Sequence, residues 1–308
     1  MDKIAITTGD PNGIGAEITI KALRALDLPS DKVAIISNRE ILKLCGGDDI
    51  PNKYEIIEIP YSKSDIKYGK ITKEAGEFSY QSLKKVCELK PKAIVTAPVA
   101  KESLHLAGRI FNGQTEILQK YLAHDGQLAE MLFVAKNFKV LLLTRHCPLK
   151  EVNLTKEIVI TKVNNLVKTF NDQFEIKKPK FALCGFNPHA GEDGILGCEE
   201  KEILIPAVEY LKSTGVDITM PLPSDTLFVN AAKEYLNESV RPSYDCYIAN
   251  YHDQGLIPIK TVAQDKTVNM TIGLDIVRTS PGHGTAFDIA GKNIASPDSM
   301  IEAIKAVL

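Results

Sequence analysis

Tryptophan, a charge excess of either sign and long apolar runs are all missing from the sequence. The formal net charge is -2 and the pI is near 6.3, whereas nucleic-acid-binding proteins usually carry a basic excess. No apolar run approaches the roughly 20 residues that span a bilayer, and the first residues lack the segments of a secretory signal. We therefore expect a cytoplasmic protein that binds neither nucleic acid nor membrane.

A paired-cysteine motif is also missing. The six cysteines are scattered through 308 residues without a C-x-x-C pair, which is typical of reduced thiols and not of a disulfide framework. Hydrophobic residues make up 44% of the chain and charged residues 25%, an ordinary globular balance. This amount of apolar material suffices for one large core or two medium cores.

Short apolar runs alternate with helix-period segments along the chain. The predicted buried strands are 3–7, 32–37, 93–98, 140–144, 181–186 and 246–251. The predicted helices are Glu17–Leu26, Glu74–Leu89, Gln114–Leu122, Lys156–Phe174, Glu199–Lys212, Ala231–Glu238 and Pro297–Leu308. Strands separated by helices indicate βαβ units and a mostly parallel sheet. At this length we expect an α/β fold with two lobes around a cleft.

Polar clusters follow several of the apolar runs, at strand ends, where open α/β sheets bind ligands. Three clusters contain a histidine: His146 in TRHCPL, His189 in GFNPHAGEDG and His252 in YHDQG. Three imidazoles from three strand ends predict a divalent-metal site, better suited to Zn, Co, Ni or Fe than to Ca. A hydrogen-bonded loop residue is the alternative for each histidine. The spacing does not decide, because distant histidines carry no metal-spacing signature.

The segment GHGTAFDIAGKNIASP, residues 282–297, is the sharpest local motif. Its small residues let the backbone approach a flat ligand closely, although a surface loop before the last helix is the alternative. The segment resembles the adenosine-binding loop of the β-decarboxylating dehydrogenases, with Phe287 where those carry proline. The resemblance implies coenzyme contacts from His283, Gly284, Thr285, Ala286, Asp288 and Ile289. The Asp-Ile pair is typical of NAD-linked members, because a carboxylate accepts hydrogen bonds from the ribose hydroxyls and repels a 2′-phosphate.

Seven motifs, in order, resemble the 4-hydroxythreonine-4-phosphate dehydrogenase family over nearly the whole chain: GDPNGIG, TAPVAK, GFNPHAGEDG, PLPSDTLF, YHDQG, VNMTIGL and VRTSPGHGTAFDIAGK. The resemblance implies two α/β/α lobes of the isocitrate/isopropylmalate dehydrogenase type. We place the lobe with the coenzyme loop at 1–130 plus 275–308. The lobe with the metal-site histidines and the dimer interface is placed at 131–274.

The resemblance also implies an activity and its site residues. The activity is the NAD-dependent, metal-dependent oxidation and decarboxylation of 4-phosphohydroxy-L-threonine to 3-amino-2-oxopropyl phosphate, in pyridoxal phosphate biosynthesis. The family acts as a homodimer whose partners share a divalent metal (Zn, Co, Mg or Mn), and the matching ligands are His146, His189 and His252. The positions that match the family's contacts to its small phosphorylated substrate are Gln114, Thr115, Lys260, Asn269 and Arg278.

Several of these residues have ordinary alternatives. Lys260 is equally typical of a solvated strand end, and Arg278 of a surface ion pair. Proton transfer is expected from Lys260 or Asp225, with Asp253 as a further catalytic or supporting carboxylate beside the metal. Either aspartate is also typical of a helix N-cap or a turn.

One departure from the family concerns the substrate. The family's G-H-T-E motif is Gly113-Gln114-Thr115-Glu116 here, and an amide lacks the charge that an imidazolium offers a phosphate or carboxylate. We expect Gln114 to shift preference toward a non-amino analogue, such as a phosphorylated threonate or erythronate. Rivals of other classes are a phosphate acyltransferase on the same broad fold, which needs neither metal nor NAD, and a non-catalytic ligand-binding protein.

Overall fold

The structure, a computed structural model, describes residues 1–124, 127–237, 239–263 and 266–308. The strands in these residues are β1 (Ile4–Thr7), β2 (Val33–Ser37), β3 (Glu55–Glu58), β4 (Ala93–Thr96), β5 (Glu130–Ala135), β6 (Phe138–Leu142), β7 (Lys180–Leu183), β8 (Asp217–Ile218), β9 (Cys246–Ala249), β10 (Val268–Ile272) and β11 (Arg278–Pro281). Four of them, β1, β2, β4 and β9, are fully buried and mainly apolar, as expected of strands covered on both faces.

The helices of the described residues lie between these strands. They are α1 (Gly15–Leu26), α2 (Arg39–Leu44), α3 (Ile50–Lys53), α4 (Lys73–Leu89), α5 (Lys101–Leu106), α6 (Gln114–Leu122), α7 (Lys156–Asp172), α8 (Ile205–Ser213), α9 (Ser224–Leu236), α10 (His252–Ala263) and α11 (Asp298–Lys305). Threonine side chains cap the two longest, since Thr72 accepts from the backbone N–H of Ala75 and Thr155 from that of Ile158.

The chain divides into two compact units, Met1–Ala129 with Val268–Leu308, and Glu130–Thr267. In the first unit the strands follow the order β3-β2-β1-β4-β11-β10. All neighbours are parallel except β10 and β11, which are antiparallel. The sequence placed 268–274 in the second lobe. That boundary is corrected here, because the pairing of β10 with β11 places 268–272 in the first unit.

Two faces of the first unit's sheet are buried. Ile4 and Ile6 contribute to a core with α1 and α11, whereas the intervening Ala5 contributes to a second core with α4 and α6. This alternation follows from the two-residue period of a strand. Helices on both faces make the unit a doubly wound α/β layer, which brings the carboxyl ends of β1 and β4 to the same edge.

The second unit has its own core. Its strands follow the order β5-β6-β9-β7-β8, parallel except for the β5–β6 hairpin. Phe138 and Tyr247 pack edge to face at 5.5 Å between centroids, in a core that α9 and α10 cover. Among the described residues, no helix combines the length and apolar content needed to cross a membrane.

All six predicted strands are present, and the predicted helices are found with shifted starts for two of them. The helix predicted at Glu199–Lys212 begins as a π-helical turn, Glu200–Leu204, and continues as α8. The helix predicted at Ala231–Glu238 begins earlier, at Ser224, and its predicted end, Glu238, lies outside the described residues. The YHDQG cluster, predicted as a polar segment at a strand end, in fact begins α10. This helix is hard to predict from the sequence because it contains Gly255 and Pro258, and both residue types are unfavourable inside helices.

Candidate active site

The N-terminal turn TTGDPNGIG supports the loop expected to hold the coenzyme. The backbone N–H of Ile14 donates to the carbonyl of Thr285 at 3.1 Å. A Cβ at Gly13 would lie 2.9 Å from that carbonyl oxygen, so only glycine permits the approach. Gly9 has φ +71° and faces the carbonyl of Pro98. The glycines of the turn therefore allow it to pack against the residues that follow β4 and against the coenzyme loop.

The predicted coenzyme residues follow β11 and form a largely exposed loop. His283, Gly284 and Asp288 are exposed, and a Cβ at Gly284 would meet no atom within 4 Å. Ala286 has φ +44°, and its carbonyl accepts from the N–H of Ile289 at 3.1 Å, which closes a turn. The Asp288 side chain on this turn is exposed.

Arg278 is a buried cation whose contacts are hydroxyl groups. It is 3% exposed, and its guanidinium donates to Thr96 Oγ1 at 2.6 and 2.8 Å and to Thr271 Oγ1 at 3.4 Å. Burial lowers its pKa from the usual value to about 10. Among the described residues it has no acidic partner, so its charge is available to a bound anion.

Further substrate residues predicted in the first unit have polar atoms without a partner. The buried Oδ1 of Asn269, on β10, and the buried Oε1 of Gln114 receive no hydrogen bond from the described residues. Gln114 Nε2 donates to the carbonyl of Ala97 at 3.1 Å. Thr115, half-buried, follows Gln114 at the start of α6. Buried polar atoms are usually paired, so these two unpaired oxygens are candidates for ligand contacts.

The second unit brings two of the three predicted metal ligands together. His146 follows β6 and His252 begins α10, and their ring centroids are 5.4 Å apart. Both line a cavity of about 340 Å³ with Arg145, Tyr251 and other side chains. Burial lowers the pKa of His146, and the nearby His252 and Arg145 lower it further.

Asp253 fixes the orientation of one of these rings. Its Oδ1 lies 2.8 Å from His252 Nδ1, and because a carboxylate only accepts, the ring carries its proton on Nδ1. In the neutral ring, Nε2 of His252 then has the lone pair that a metal ion would need. A carboxylate that holds a ligating histidine in this way is the usual companion of a metal site.

His189 lies on an unusual turn of its own. Residues 189–193 all have positive φ, including His189 at +52° and Glu192 at +42°, a region costly for non-glycine residues. The buried Glu200 carboxylate accepts from the backbone N–H of Asn187 at 2.8 Å and from its side-chain Nδ2 at 2.9 Å. It also lies where a Cβ of the buried Gly191 would be. Asn187 and Glu200 therefore brace the turn.

The described part of one chain does not bring the three histidines to one point. No three His, Cys, Asp or Glu side chains in it are close enough to share a metal ion. The predicted proton-transfer residues also lie apart from the histidine pair. Lys260, late in α10, and Asp225, in the first turn of α9, are exposed and do not line the 340 Å³ cavity.

Sequence reasoning missed residues that support the site. Thr96 and Thr271, which hold Arg278, lie inside strands and resemble ordinary β-branched positions. Arg145 is next to His146 in TRHCPL, and its position in a strand-end cluster was the available signal. The bracing role of Asn187 and Glu200 rests on contacts 13 residues apart, for which no sequence rule exists.

Comparison with known proteins identifies the family. The family model described as pyridoxal phosphate biosynthetic protein PdxA matches residues 5–307. A relative from a Sulfurihydrogenibium species, named 4-hydroxythreonine-4-phosphate dehydrogenase, is 40% identical over 326 residues, which cover 99% of this chain and 97% of the relative.

Solved structures give the same result. The crystal structure of 4-hydroxythreonine-4-phosphate dehydrogenase from Klebsiella pneumoniae is similar with a TM-score of 0.85 and 32% identity, over 100% of this chain and 98% of that one. Isocitrate dehydrogenase from Methylococcus capsulatus, at a TM-score of 0.53 and 14% identity over 100% and 85% of the two chains, shares the fold alone. The predicted α/β fold is thus confirmed, and the chain belongs to the PdxA family of dehydrogenases.

Proposed function

We propose that the chain catalyses the NAD-dependent oxidation of the 3-hydroxyl of 4-phosphohydroxy-L-threonine, followed by loss of CO2 to give 3-amino-2-oxopropyl phosphate. The observation that carries the proposal is the buried guanidinium of Arg278, which contacts hydroxyls and, within the described part of the chain, no carboxylate. An uncompensated buried cation is costly unless a bound anion neutralises it. A phosphorylated acid supplies such an anion.

The substrate-binding residues divide by what they can offer. Arg278 supplies charge for the anionic end, and the orphaned Asn269 Oδ1 accepts a hydrogen bond. Thr115 adds a hydroxyl at the start of α6, whose N-terminal N–H groups favour an anion. Lys260 contributes a second, exposed ammonium for a phosphate or carboxylate. Gln114 adds a side-chain amide to these substrate-binding residues.

The histidine pair fits a divalent metal. His146 and His252 are adjacent, and Nδ1 of His252 is engaged by Asp253, which leaves Nε2 as the ring nitrogen that could bind a metal ion. We propose that these two histidines of one chain and His189 of the partner subunit form the metal site of a homodimer. Neutral imidazoles suit Zn or Co, while Mg and Mn bind through substrate oxygens as well. This arrangement accounts for a chain that pairs two ligands and carries the third on a separate braced turn.

The 282–291 loop fits the adenosine end of NAD. Its exposed backbone at Gly284 admits a flat ligand, and the exposed Asp288 carboxylate can accept the ribose hydroxyls. Thr285, Ala286 and Ile289 shape the turn beneath it. When bound, NAD supplies the hydride acceptor and the metal supplies positive charge at the reacting oxygens.

The chain's own groups would then hold the substrate and move its protons. Lys260 and Asp225 are the candidates for removing the hydroxyl proton, directly or through water. Asp253 is engaged by His252, so we propose it as a positioning residue for that imidazole.

Turnover of a small panel of compounds tests the function. The purified protein, with NAD and Zn, Co, Mg or Mn, is expected to form NADH and release CO2 from 4-phosphohydroxy-L-threonine. 4-Phospho-threonate and 4-phospho-erythronate cover the alternative that Gln114 favours, a paralogue for a related hydroxy acid. If neither the amino substrate nor the two non-amino acids yield NADH, and the protein transfers an acyl group to phosphate, it is an acyltransferase. Binding without turnover would point to a ligand-binding protein.

Coenzyme choice gives a second test. NAD is expected to be preferred over NADP, because Asp288 repels a 2′-phosphate. Changing Asp288→Lys together with Ile289→Tyr is expected to move kcat/KM toward NADP by about tenfold or more. Asp31→Lys, at another exposed aspartate of the same unit, should leave the preference unchanged. Equal efficiency with both coenzymes in the unmutated protein contradicts the assignment.

A further inference from the structure

Glu17 and Lys21 lie one helical turn apart near the start of α1 and reach a distant segment of the chain. The Lys21 ammonium donates to Glu17 Oε1 at 2.8 Å. It also donates to two backbone carbonyls, at 3.1 Å for Asn293 and 2.9 Å for Ala295. These contacts match the three hydrogens of an ammonium group. Because Glu17 Oε1 also accepts from the backbone N–H of Ala295 at 2.7 Å, the four groups form one connected network, which we call the α1 clamp.

The α1 clamp is more than a surface ion pair. The side chain of Glu17 is 6% exposed and that of Lys21 27%, and Ala295 is buried. Hydrogen bonds to charged groups are stronger than neutral ones, and a buried setting strengthens them further. An exposed pair of this spacing would contribute little. Here each charged group also bonds to the backbone of residues 293–295, so the pair attaches that segment to α1.

A second attachment to the same end of α1 lies earlier in the segment. Ile14, which directly precedes the helix, donates its N–H to the carbonyl of Thr285 at 3.1 Å. The turn that carries Asp288 lies between this contact and the α1 clamp. The start of one helix thus holds the coenzyme loop on both sides of Asp288.

The backbone between the two attachments has a conformation that needs support. Ala286 and Asn293 have positive φ, at +44° and +57°. Such values are costly for residues with a side chain, although asparagine tolerates them better than alanine. They persist where surrounding contacts fix the backbone. The α1 clamp supplies such contacts at Asn293 itself and at Ala295.

We propose that Glu17 and Lys21 are positioning residues for the coenzyme, which hold the turn of Asp288 in the shape that receives the adenosine ribose. The inference rests on the proposed function, in which Asp288 accepts hydrogen bonds from the ribose hydroxyls. Neither clamp residue needs to touch the coenzyme. Without the α1 clamp the segment would have to be ordered when the coenzyme binds, which weakens the observed affinity. The choice between NAD and NADP should weaken as well, because Asp288 would no longer be held opposite the 2′ position.

Lys21→Met tests the α1 clamp by removing the ammonium while keeping most of the length of the side chain. KM for NAD is expected to rise about fivefold to twentyfold with kcat almost unchanged. The ratio of kcat/KM for NAD to that for NADP should fall about threefold or more. Lys21→Arg keeps a charged donor group and should stay within about threefold of the unmutated protein.

Two measurements avoid catalysis. ADP-ribose carries the adenosine end of the coenzyme without nicotinamide, and calorimetry should show its affinity reduced in Lys21→Met by about the same factor as KM for NAD rises. The affinity for 4-phosphohydroxy-L-threonine alone should not change. Hydrogen exchange in the ligand-free protein should become faster at the amides of Ile289, Lys292 and Ala295, which donate within the segment or to Glu17.

Lys3→Met is the matched control. Lys3 forms an ion pair with Glu55 at 2.7 Å in the same unit, and its side chain is 26% exposed, close to the 27% of Lys21. It precedes β1, at the opposite end of that strand from the turn that meets the coenzyme loop. Its loss should change neither the ADP-ribose affinity nor the coenzyme ratio.

A folded Lys21→Met protein with unchanged ADP-ribose affinity and an unchanged coenzyme ratio overturns the inference. If Lys21→Met does not fold, Glu17→Gln decides, because it keeps an oxygen for Ala295 and removes the charge opposite Lys21. It should show the same two losses, each smaller, and their absence would equally overturn the inference. No NADH from the unmutated protein with any substrate would instead remove the proposed function. ADP-ribose binding and hydrogen exchange would still report on the α1 clamp in that case.

Discussion

Replacing His252 with alanine is expected to abolish turnover and to leave the purified protein without its divalent metal. His252 pairs with His146 at 5.4 Å, and its Nε2 is the free nitrogen because Nδ1 faces Asp253. Loss of one of three ligands should lower metal affinity by several orders of magnitude, since each metal–imidazole bond is a large part of the binding free energy. Metal content by elemental analysis and NADH formation should fall together.

Two controls sharpen this expectation. His124→Ala removes an exposed histidine paired with Asp275 and should leave metal content and turnover unchanged. Asp253→Asn keeps an oxygen near His252 and removes the charge, so it should weaken metal binding about tenfold to a hundredfold. Chelator competition measures this affinity without relying on activity. Full metal occupancy in His252→Ala would show that this pair is not the metal site.

A mixture of inactive variants tests whether the site is shared. If His252 and the partner's His189 belong to one site, a heterodimer of His252→Ala and His189→Ala chains contains one intact site and one doubly damaged site. Random mixing should then restore about a quarter of the unmutated activity, because half of the dimers are mixed and each has one working site. If all three ligands came from one chain, mixing would restore nothing.

The fold was largely predictable because its strands are buried on both faces. Runs such as those of β4 and β9 are short, buried throughout and mainly apolar, and polar clusters follow them, so both their type and the ligand edge follow from the sequence. The antiparallel strands are harder to predict from the sequence. β10 carries Asn269 and Thr271 in a VNMTI pattern, and its assignment to the first unit depends on pairing with β11, which no local pattern encodes.

The candidate site was predictable in its residue types and not in its contacts. Family motifs located Gln114 and Arg278, but no sequence pattern indicates that Arg278 is buried against hydroxyl groups and not in an ion pair. The orientation of the Gln114 amide depends on the carbonyl of Ala97, 17 residues away. Such details arise from packing between segments, which periodicity and composition do not describe.

Replacing Arg278 with methionine is expected to separate stability from function. Methionine has a similar length and carries no charge. Burial lowers the pKa of Arg278 to about 10, which reflects the cost of desolvating its charge. Replacing a buried ionic group by an apolar one of similar volume is often neutral or stabilising by about 1–4 kcal/mol. Thermal unfolding of the ligand-free protein should therefore occur at an unchanged or higher temperature.

Turnover by Arg278→Met should fall, although its stability does not. The variant lacks the charge that neutralises the substrate's anionic group, so kcat/KM should fall at least about a hundredfold.

The loss of substrate binding in Arg278→Met can also be measured without catalysis. A ligand at a hundred times its Kd stabilises a protein by about 2.7 kcal/mol, so 4-phosphohydroxy-L-threonine should raise the unfolding temperature of the unmutated protein and not that of Arg278→Met. Arg39→Met, which breaks an exposed pair with Glu58, should alter neither stability nor this ligand shift by more than about 0.5 kcal/mol. A marked loss of stability in ligand-free Arg278→Met, with the ligand shift retained, would mean that the guanidinium holds the fold together and does not bind the substrate's anion.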